Sequence, residues 1–560
     1  MRQLPISISD FAQVRRKGMY YVDKSLLIRD LIDGAGVCLF ARPRRFGKTL
    51  NMSMLRYFYG NDGDYRDCFE GLAIMQAGER YLAHMGAYPL VFFSLKEVRD
   101  AEWDGAWTKF QHVLSNIVED HQYLLDWPDL PHKTRSFLHA VLDSQLSPQQ
   151  AAPLLKLLSD ALHRYHQKEV VIIIDEYDSP VVSAYLGNYY EEMIAFMRDF
   201  LGAGLKDNVH LAKGVLSGIM RITKESIFSG LNNPGIYSLL THRMAGHFGF
   251  TPEEVQQLLA DAGLNGQEWN DIQDWYNGYR IGDYTLFNPW SILNYVDKPE
   301  DGLRSYWAET STNDLLKQLF FGRGANVRED LEALIRGDKL RKVISDNLIY
   351  GELVEKEDTV WSLLLSAGYL RAENPQHTGS HGQYVSYELS IPNKEILAVY
   401  ETKIRSWLQE RTHHRDLDRM LDGIRQGSAK EFYRYLRKFA LGIFSYYDVP
   451  KPEPENFYHA FLLGLLVYLS GEYDIRSNRE AGYGRFDLML LPKDKTRAAI
   501  IIELKSPDDL DDETLEEALQ AAVTQLKTKQ YQVEPAELGY TWVERWALAV
   551  QGKEVKVQAV

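Results

Sequence analysis

Cysteine is nearly absent from this chain, with only Cys38 and Cys68 among 560 residues. Two thiols, one of them inside an apolar run, exclude a disulfide scaffold and fit a reducing compartment. Long apolar runs are missing too. The longest, FLLGLLVYL at 461–469, is too short to span a bilayer, and the N-terminal MRQLPISISDFAQVRRKG has no apolar signal core. The expectation is a cytoplasmic protein with no membrane contact. Positive charge is in deficit: 63 Lys and Arg stand against 78 Asp and Glu, a net charge of -15, so any contact with nucleic acid is local rather than a property of the whole surface. No Cys/His cluster suggests zinc.

What is present is an ordinary globular balance, 45% hydrophobic and 25% charged, in a chain long enough for roughly three or four domains. The 34 tyrosines are scattered through helical stretches rather than interleaved with lysine, which favours core packing over a base-stacking strip. From about 20 to 230, the apolar runs VCLFA, YPLVFFSL, VVIIID and VHLAKGVLSGI alternate with helix-like stretches. That alternation predicts strands joined by crossover helices and hence a parallel sheet. Between about 235 and 320 the pattern turns helical, with TPEE offering Thr251 as N-cap, Pro252 at the first helical position and Glu254 closing a capping box. Residues 330–400 combine helices with YVSYELSIP and suggest a small helical domain with a hairpin wing. The proline-rich DVPKPEPEN at 448–456 reads as a stiff boundary. Beyond it come a helix (FYHAFLLGLLVYL), two strands (GRFDLMLLP and RAAIIIELK) and an amphipathic helix from about 512 to 530.

The first chemical constellation is ARPRRFGKTL at 41–50, at the turn between a buried strand and a helix, where a phosphate cradle must lie. Arginine stands where the usual G-x-x-x-x-G-K-[ST] loop begins with glycine. Gly47 lets backbone amides approach phosphates, Lys48 can reach the β and γ oxygens, and Thr49 can offer its hydroxyl to Mg²⁺. Arg42, Arg44 and Arg45 add positive charge, with Phe46 between them and the glycine, and Pro43 is a candidate for setting the turn. VVIIIDEYD then ends an apolar strand in two carboxylates. Asp175 is expected to hold Mg²⁺ through water and Glu176 to orient or deprotonate the attacking water. Ser217 and Arg221 lie where a γ-phosphate sensor sits on a neighbouring strand; an N-cap and a surface ion pair are the bland alternatives. Asp23 caps the following helix or lies near a bound base.

With those residues in view, the chain resembles a known family. YYVDKSLLIRDLI, LFARPRRFGKTLNMSML, IIIDEYDSP, SIFSGLNN, WYNGYRIGDYTLFNPWSI and YWAETSTNDLL, in that order over roughly 4–320, resemble the bacterial and archaeal AAA-ATPase-like proteins. The opening arginine is that family's own form of the loop. The resemblance implies an ATP-binding P-loop domain with a helical lid. ENFYHAFLLGLL, SNREAGYGRFDLMLLP, IIIELK and QLKTKQY are similar to the nuclease-like domain of the PD-(D/E)xK superfamily that commonly follows it.

The residues of that second segment make their own case. On GRFDLML, alternation puts Phe486, Leu488 and Leu490 on one face and Asp487 on the other; on IIIELK it puts Glu503 and Lys505 together. Phosphodiester hydrolysis needs such a set: Asp487 and Glu503 to bind Mg²⁺ and Lys505 to position or activate the nucleophile. Gln525, on the apolar face of the next helix, either reaches this pocket or is a plain boundary residue. Glu480 and Glu455 are further acidic candidates, and His459 lines the pocket or packs in the core. DDLDDETLEE at 508–517 is acidic, and Lys527, Lys529 and Arg485 are the nearby cations, so ATPase or wing surfaces are expected to supply much of any phosphate contact.

The expected fold class is therefore α/β: a P-loop NTPase parallel sheet with a helical lid, a small winged-helix-like middle region and a C-terminal α/β PD-(D/E)xK nuclease-like domain. The boundaries fall at 1–234 (core), 235–325 (lid), 326–400 (winged-helix-like), 401–449 (helical connector) and 450–560 (nuclease-like). The expected function is an ATPase whose nucleotide state controls a Mg²⁺-dependent nuclease acting on DNA in preference to RNA, with homo-oligomerisation open. The alternatives are a regulatory ATPase whose C-terminal domain binds nucleic acid or protein without cutting, and an interaction protein with a fossil P-loop.

Overall fold

The computed structural model describes residues 2–206, 208–221, 234–264, 268–307, 325–335, 337–345, 357–378, 384–400, 402, 414–443, 462, 469, 471–481, 484–507, 513–529, 531–551 and 554–560. The chain divides into two compact units, one of Met1–Thr310 with Lys339–Ile396 and one of Ser311–Asp338 with Leu397–Val560.

The first unit is built on a five-stranded parallel sheet of β1 (Val37–Ala41), β2 (Leu90–Ser94), β3 (Val170–Asp175), β4 (Leu211–Gly218) and β5 (Gly235–Tyr237), in the order β2-β3-β4-β1-β5. The β-branched run VVIIID of β3 is buried along its whole length, as a strand covered on both faces requires. Helices Trp103–Glu119, Leu154–His166 and Tyr190–Leu205 supply crossovers. Because the strands are parallel, their carboxyl ends lie together at one edge, the place where such sheets bind ligands. The helix α1 (Lys48–Tyr59) springs from the end of β1.

Gly235–Tyr237 corrects the helical reading of 235–320: this short segment pairs with β1 and extends the sheet. Three residues are too few to carry a legible period. The same stretch contains α2 (Pro252–Asp261), the hairpin β6 (Tyr279–Ile281) and β7 (Tyr284–Leu286), and α3 (Pro289–Asp297). The capping box at α2 forms as expected, Thr251 accepting from the Glu254 amide and Glu254 from that of Thr251. Val255, Leu258, Ile272, Phe287 and Ile292 pack these elements into one core. β8 (Leu340–Val343), β9 (Arg371–Thr378) and β10 (Tyr384–Ser390) form an antiparallel sheet ordered β8-β10-β9.

The second unit carries a mixed sheet, β11 (Tyr473–Ala481), β12 (Gly484–Pro492), β13 (Ala499–Lys505), β14 (Val543–Gln551) and β15 (Glu554–Ala559), ordered in sequence, with only β13 and β14 parallel. Its helices include α4 (His414–Arg425), α5 (Ala429–Ile443) and α6 (Leu515–Thr528). α6 begins at a second capping box, Thr514 with Glu517, and packs Ala518, Leu519, Ala522 and Leu526 on Met489, Ile501, Ala547 and Ala549. Burying four such aliphatic side chains contributes several kcal/mol and fixes the helix over one sheet face. Among the described residues no helix is long and apolar enough to cross a membrane.

Candidate functional site

The loop after β1 is held by its own residues. Gly47 sits at φ 80° as N-cap of α1, a left-handed conformation that glycine adopts without strain. Arg45 also has a left-handed backbone, φ 68°, which costs a non-glycine residue free energy and marks a conformation imposed by its surroundings. Arg42 departs from expectation. It was expected to add charge around the loop, yet it is completely buried, its guanidinium donating to the carbonyls of Ala41 (3.0 Å), Tyr237 (2.6 Å) and Ser238 (2.8 Å). The residue in the first-glycine position thus turns inward and ties the end of β1 to the end of β5.

Lys48 is buried, and its ammonium donates to the carbonyls of Arg42 (3.0 Å) and Pro43 (2.8 Å). Burial pushes its pKa down, while the charges of Asp178, Asp175 and Glu176 pull the other way. Across from it, Asp175 ends β3 and accepts from the Ser217 hydroxyl of β4, the strand between β1 and β3. Burial raises the Asp175 pKa, opposed by hydrogen bonds from Ser217 and Thr49 and by the charge of Lys48. The sequence-predicted Lys48, Thr49, Asp175 and Ser217 therefore converge. Glu176 has a left-handed backbone, φ 51°, and its carboxylate accepts from Arg99 (3.3 Å) and Ser179 (3.1 Å). Arg221 lies three residues past β4 and does not line the cavity described next.

Arg44, Arg45, Phe46, Gly47, Lys48 and Thr49 line a cavity of about 740 Å³ together with Asp175, Glu176 and Asp178. That volume lies in the range of small-molecule sites. Elsewhere Ile8, Tyr20, Val22, Phe250, Trp290 and Leu293 give apolar surface, interspersed with polar groups such as Lys24, Lys96, Arg99 and His247. Phe46 is buried, edge-on to Tyr279. Asp23 is a fastener beside the cavity, accepting from the amides of Ser25 (2.8 Å) and Ala73 (2.7 Å).

Sequence reasoning missed three residues here. Asp178 is buried beside Asp175 and accepts from the Ile219 amide at 2.7 Å, which fixes the chain where it leaves β4. Arg99 pairs with Glu176, and Trp290 lies 4.2 Å under the Arg45 guanidinium. Asp178 was visible as the third carboxylate of IIIDEYD, but the other two come from distant segments with no pattern to flag them.

In the second unit, Asp487, Glu503 and Lys505 have the parity of Met489 and Ile501, so they share the sheet face under α6. Asp487 accepts from the Leu504 amide at 2.7 Å, Glu503 is completely buried, and the Lys505 ammonium is 3.4 Å from its carboxylate. Gln525, on α6, donates to the Tyr531 hydroxyl at 3.0 Å. Burial raises the Tyr531 pKa; the Gln525 hydrogen bond and the charge of Lys505 oppose this, and the charges of Glu503 and Asp487 add to it. Tyr531 is thus a member of the cluster that the sequence reading passed over, although it closes the quoted QLKTKQY. Glu455, His459 and the side chain of Glu480 lie outside the described residues. No group of three or more His, Cys, Asp or Glu suited to a metal occurs among the described residues.

These two clusters coincide with the matches to known proteins. A family model described as predicted AAA-ATPase matches residues 5–228, and one described as PD-(D/E)XK nuclease superfamily matches 453–560. A protein of Azotobacter chroococcum mcd 1, described as an uncharacterized protein in the vnfD 5' region, is 30% identical over 408 residues, 71% of this chain and 69% of that protein. The chain belongs to the AAA-ATPase-like family. Its C-terminal segment is a PD-(D/E)XK nuclease-superfamily domain. No solved structure matches significantly. Within this AAA-ATPase-like chain, the P-loop cluster falls in the first matched segment and Asp487, Glu503, Lys505, Gln525 and Tyr531 in the second.

Proposed function

We propose that the first unit binds and hydrolyses ATP, that the second cleaves nucleic acid, DNA in preference to RNA, and that nucleotide state controls the cutting. One observation carries the reading: each unit sets a lysine beside paired oxygen donors, Lys48 with Thr49 and Asp175, and Lys505 with Asp487 and Glu503. Hydroxyl and carboxylate oxygens are the donors Mg²⁺ prefers, so both sets fit that ion. When bound, Mg²⁺ supplies Lewis acidity and a more acidic water.

In the first unit, Lys48 exchanges the Arg42 and Pro43 carbonyls for phosphate oxygens, which are better partners for a desolvated ammonium. Gly47 leaves its amide open to the phosphates, Arg44 and Arg45 balance their charge, and Phe46 closes the loop against the protein. Glu176 orients the attacking water once Arg99 releases it, and Ser217 keeps Asp175 aligned. Arg221 is assigned no contact with nucleotide. In the second unit, Asp487 and Glu503 hold the metal, Lys505 positions the nucleophile, and Gln525 with Tyr531 fixes the floor of the pocket.

The test is incubation of the purified chain with DNA and RNA, Mg²⁺ and ATP, beside Lys48→Ala and Asp487→Ala forms. Cutting that disappears in Asp487→Ala supports the reading. ATP turnover with no cutting of any substrate refutes the nuclease half and leaves a regulatory ATPase. Normal cutting by Lys48→Ala refutes the control of one site by the other.

A further inference from the structure

The mixed sheet of the second unit is covered on both faces, and the covers differ in charge. α6 lies over the face that bears Asp487, Glu503 and Lys505. α5 packs on β15 and on the opposite face, where Phe432 meets Trp546 with ring centroids 5.2 Å apart. Its inner side is apolar, with Phe432, Tyr435 and Leu436 buried, whereas Lys430, Arg434, Arg437 and Lys438 are all exposed. Spaced i, i+4, i+7 and i+8, these cations share a stripe about 100° wide.

The stripe is organised around one ring. Arg419 of α4 donates to the Tyr435 hydroxyl at 3.0 Å, and Arg419, Arg434 and Lys438 lie 5.9, 5.8 and 5.1 Å from the Tyr435 centroid. The ring's negative face lessens the mutual repulsion of the three cations gathered about it. Acidic neighbours offset only part of this charge. Lys438 is 3.3 Å from Asp416 and Arg434 is 4.0 Å from Glu431, whereas Lys430 and Arg437 make no ion pair among the described residues. In a chain of net charge -15, such a face attracts a polyanion.

We propose that the exposed face of α5 contacts nucleic-acid phosphates and holds a stretch flanking the one at Asp487 and Glu503. This rests on reading the second site as a nuclease, and it places phosphate contact on neither the ATPase nor the wing surface. A helix layer lies ~10 Å from a sheet and is itself ~10 Å across, so the stripe is ~20 Å from the carboxylate face. Only a strand running well beyond about six base pairs of B-form rise reaches both.

The experiment measures binding of labelled DNA and RNA to the full chain carrying Asp487→Asn, with and without Lys430→Gln, Arg434→Gln and Arg437→Gln together. At about 100 mM salt the triple variant is expected to lose at least tenfold in affinity for strands of about 40 nucleotides, with a salt slope smaller by about 2 to 3, and to bind about eight-nucleotide strands unchanged. Arg437→Gln alone gives about a third of the slope change and serves if the triple variant fails to fold. Equal affinity and slope on long strands, or no binding of any nucleic acid by the parent, overturns the proposal. Cutting by the otherwise native chain is scored separately. Binding that depends on α5 without any cutting upholds the surface and removes the nuclease reading; cutting with unchanged long-strand affinity does the reverse.

Discussion

The P-loop cluster and the carboxylate cluster of the second unit use similar side chains in different frameworks. The first is assembled at the loops where elements begin and end: Lys48 opens α1 after β1, Asp175 ends β3 with Glu176 just beyond it, Arg99 follows β2 and Trp290 lies in the first turn of α3. The second is drawn mostly from two adjacent strands and one helix, with Asp487 anchored directly to the backbone of its neighbour. A loop-built site takes its geometry from distant packing, and two of its members, Arg45 and Glu176, sit in left-handed backbone. A strand-built site takes its geometry from register. The geometry of the loop site should therefore be adjustable from afar, and that of the strand site should change only when one of its own members does.

The hardest test removes one member from each. Lys48→Ala is expected to abolish ATP turnover and Asp487→Ala to abolish cutting, each by a factor of at least about 10² to 10³, since groups that act on a transition state contribute several kcal/mol. ATP-turnover and cleavage assays on the same preparations check this. If Asp487→Ala also halts ATP turnover, the two frameworks are not independent and the comparison fails.

Next in size is a pH effect confined to the first unit. Glu395 is completely buried and accepts from the Ser291 hydroxyl (2.9 and 2.8 Å) and from the amides of Tyr306 and Trp307 (2.9 Å each). Burial pushes its pKa up from 4.5 to about 7, the hydrogen bonds opposing. A raised folded-state pKa means the native state holds the proton more tightly. The stability it contributes is thus fully present below about 4.5 and lost as pH rises through about 7. The loss is at most about 3 kcal/mol. Glu395→Gln stays neutral and should remove this slope, so thermal midpoints of native and variant chains should diverge between pH 5 and 8; a constant gap would falsify the assignment. Because Ser291 adjoins Trp290 on α3, ATP affinity should follow the same pH window and cutting by an ATP-independent assay should not.

How much of this was legible depends on where the information sits in the chain. Contiguous runs were readable: VCLFA and VVIIID gave strands, and GKT between strand and helix gave the loop. The pairing of Asp487 with Glu503 and Lys505 followed from alternation, because register fixes faces. Contacts between remote segments were not readable. Nothing in the local pattern says that Arg42 turns inward to the carbonyls at the end of β5, or that Trp290 meets Arg45. The strand β5 was lost because its three residues pair only through tertiary context, and Gln525 became interpretable once its partner Tyr531 was seen.

A smaller effect tests the loop site from a distance. Gly368 has φ +89°, and a Cβ there would stand 3.0 Å from the Pro43 side chain. Gly368→Ala therefore strains its own backbone and presses on the phosphate loop, costing about 1 to 2 kcal/mol. ATP affinity is expected to fall several-fold, with cleavage by the second unit unchanged when assayed without nucleotide. Equal losses in both assays would mean general destabilisation rather than a message to the loop.

The smallest expected effect isolates one contact within that loop. Arg45 over Trp290 at 4.2 Å is a cation–π pair, and at a partly exposed position such a pair contributes about 0.5 to 1 kcal/mol. Arg45→Lys keeps the charge but loses the flat guanidinium that stacks on the indole. ATP affinity should drop only about two- to fivefold, and Trp290→Leu should lower it by a similar factor. Combined, the two changes should cost less than their sum, because either one alone already removes the shared contact. Strict additivity in ATP binding would show that Arg45 acts through phosphate alone and that its left-handed backbone is held by something other than the indole.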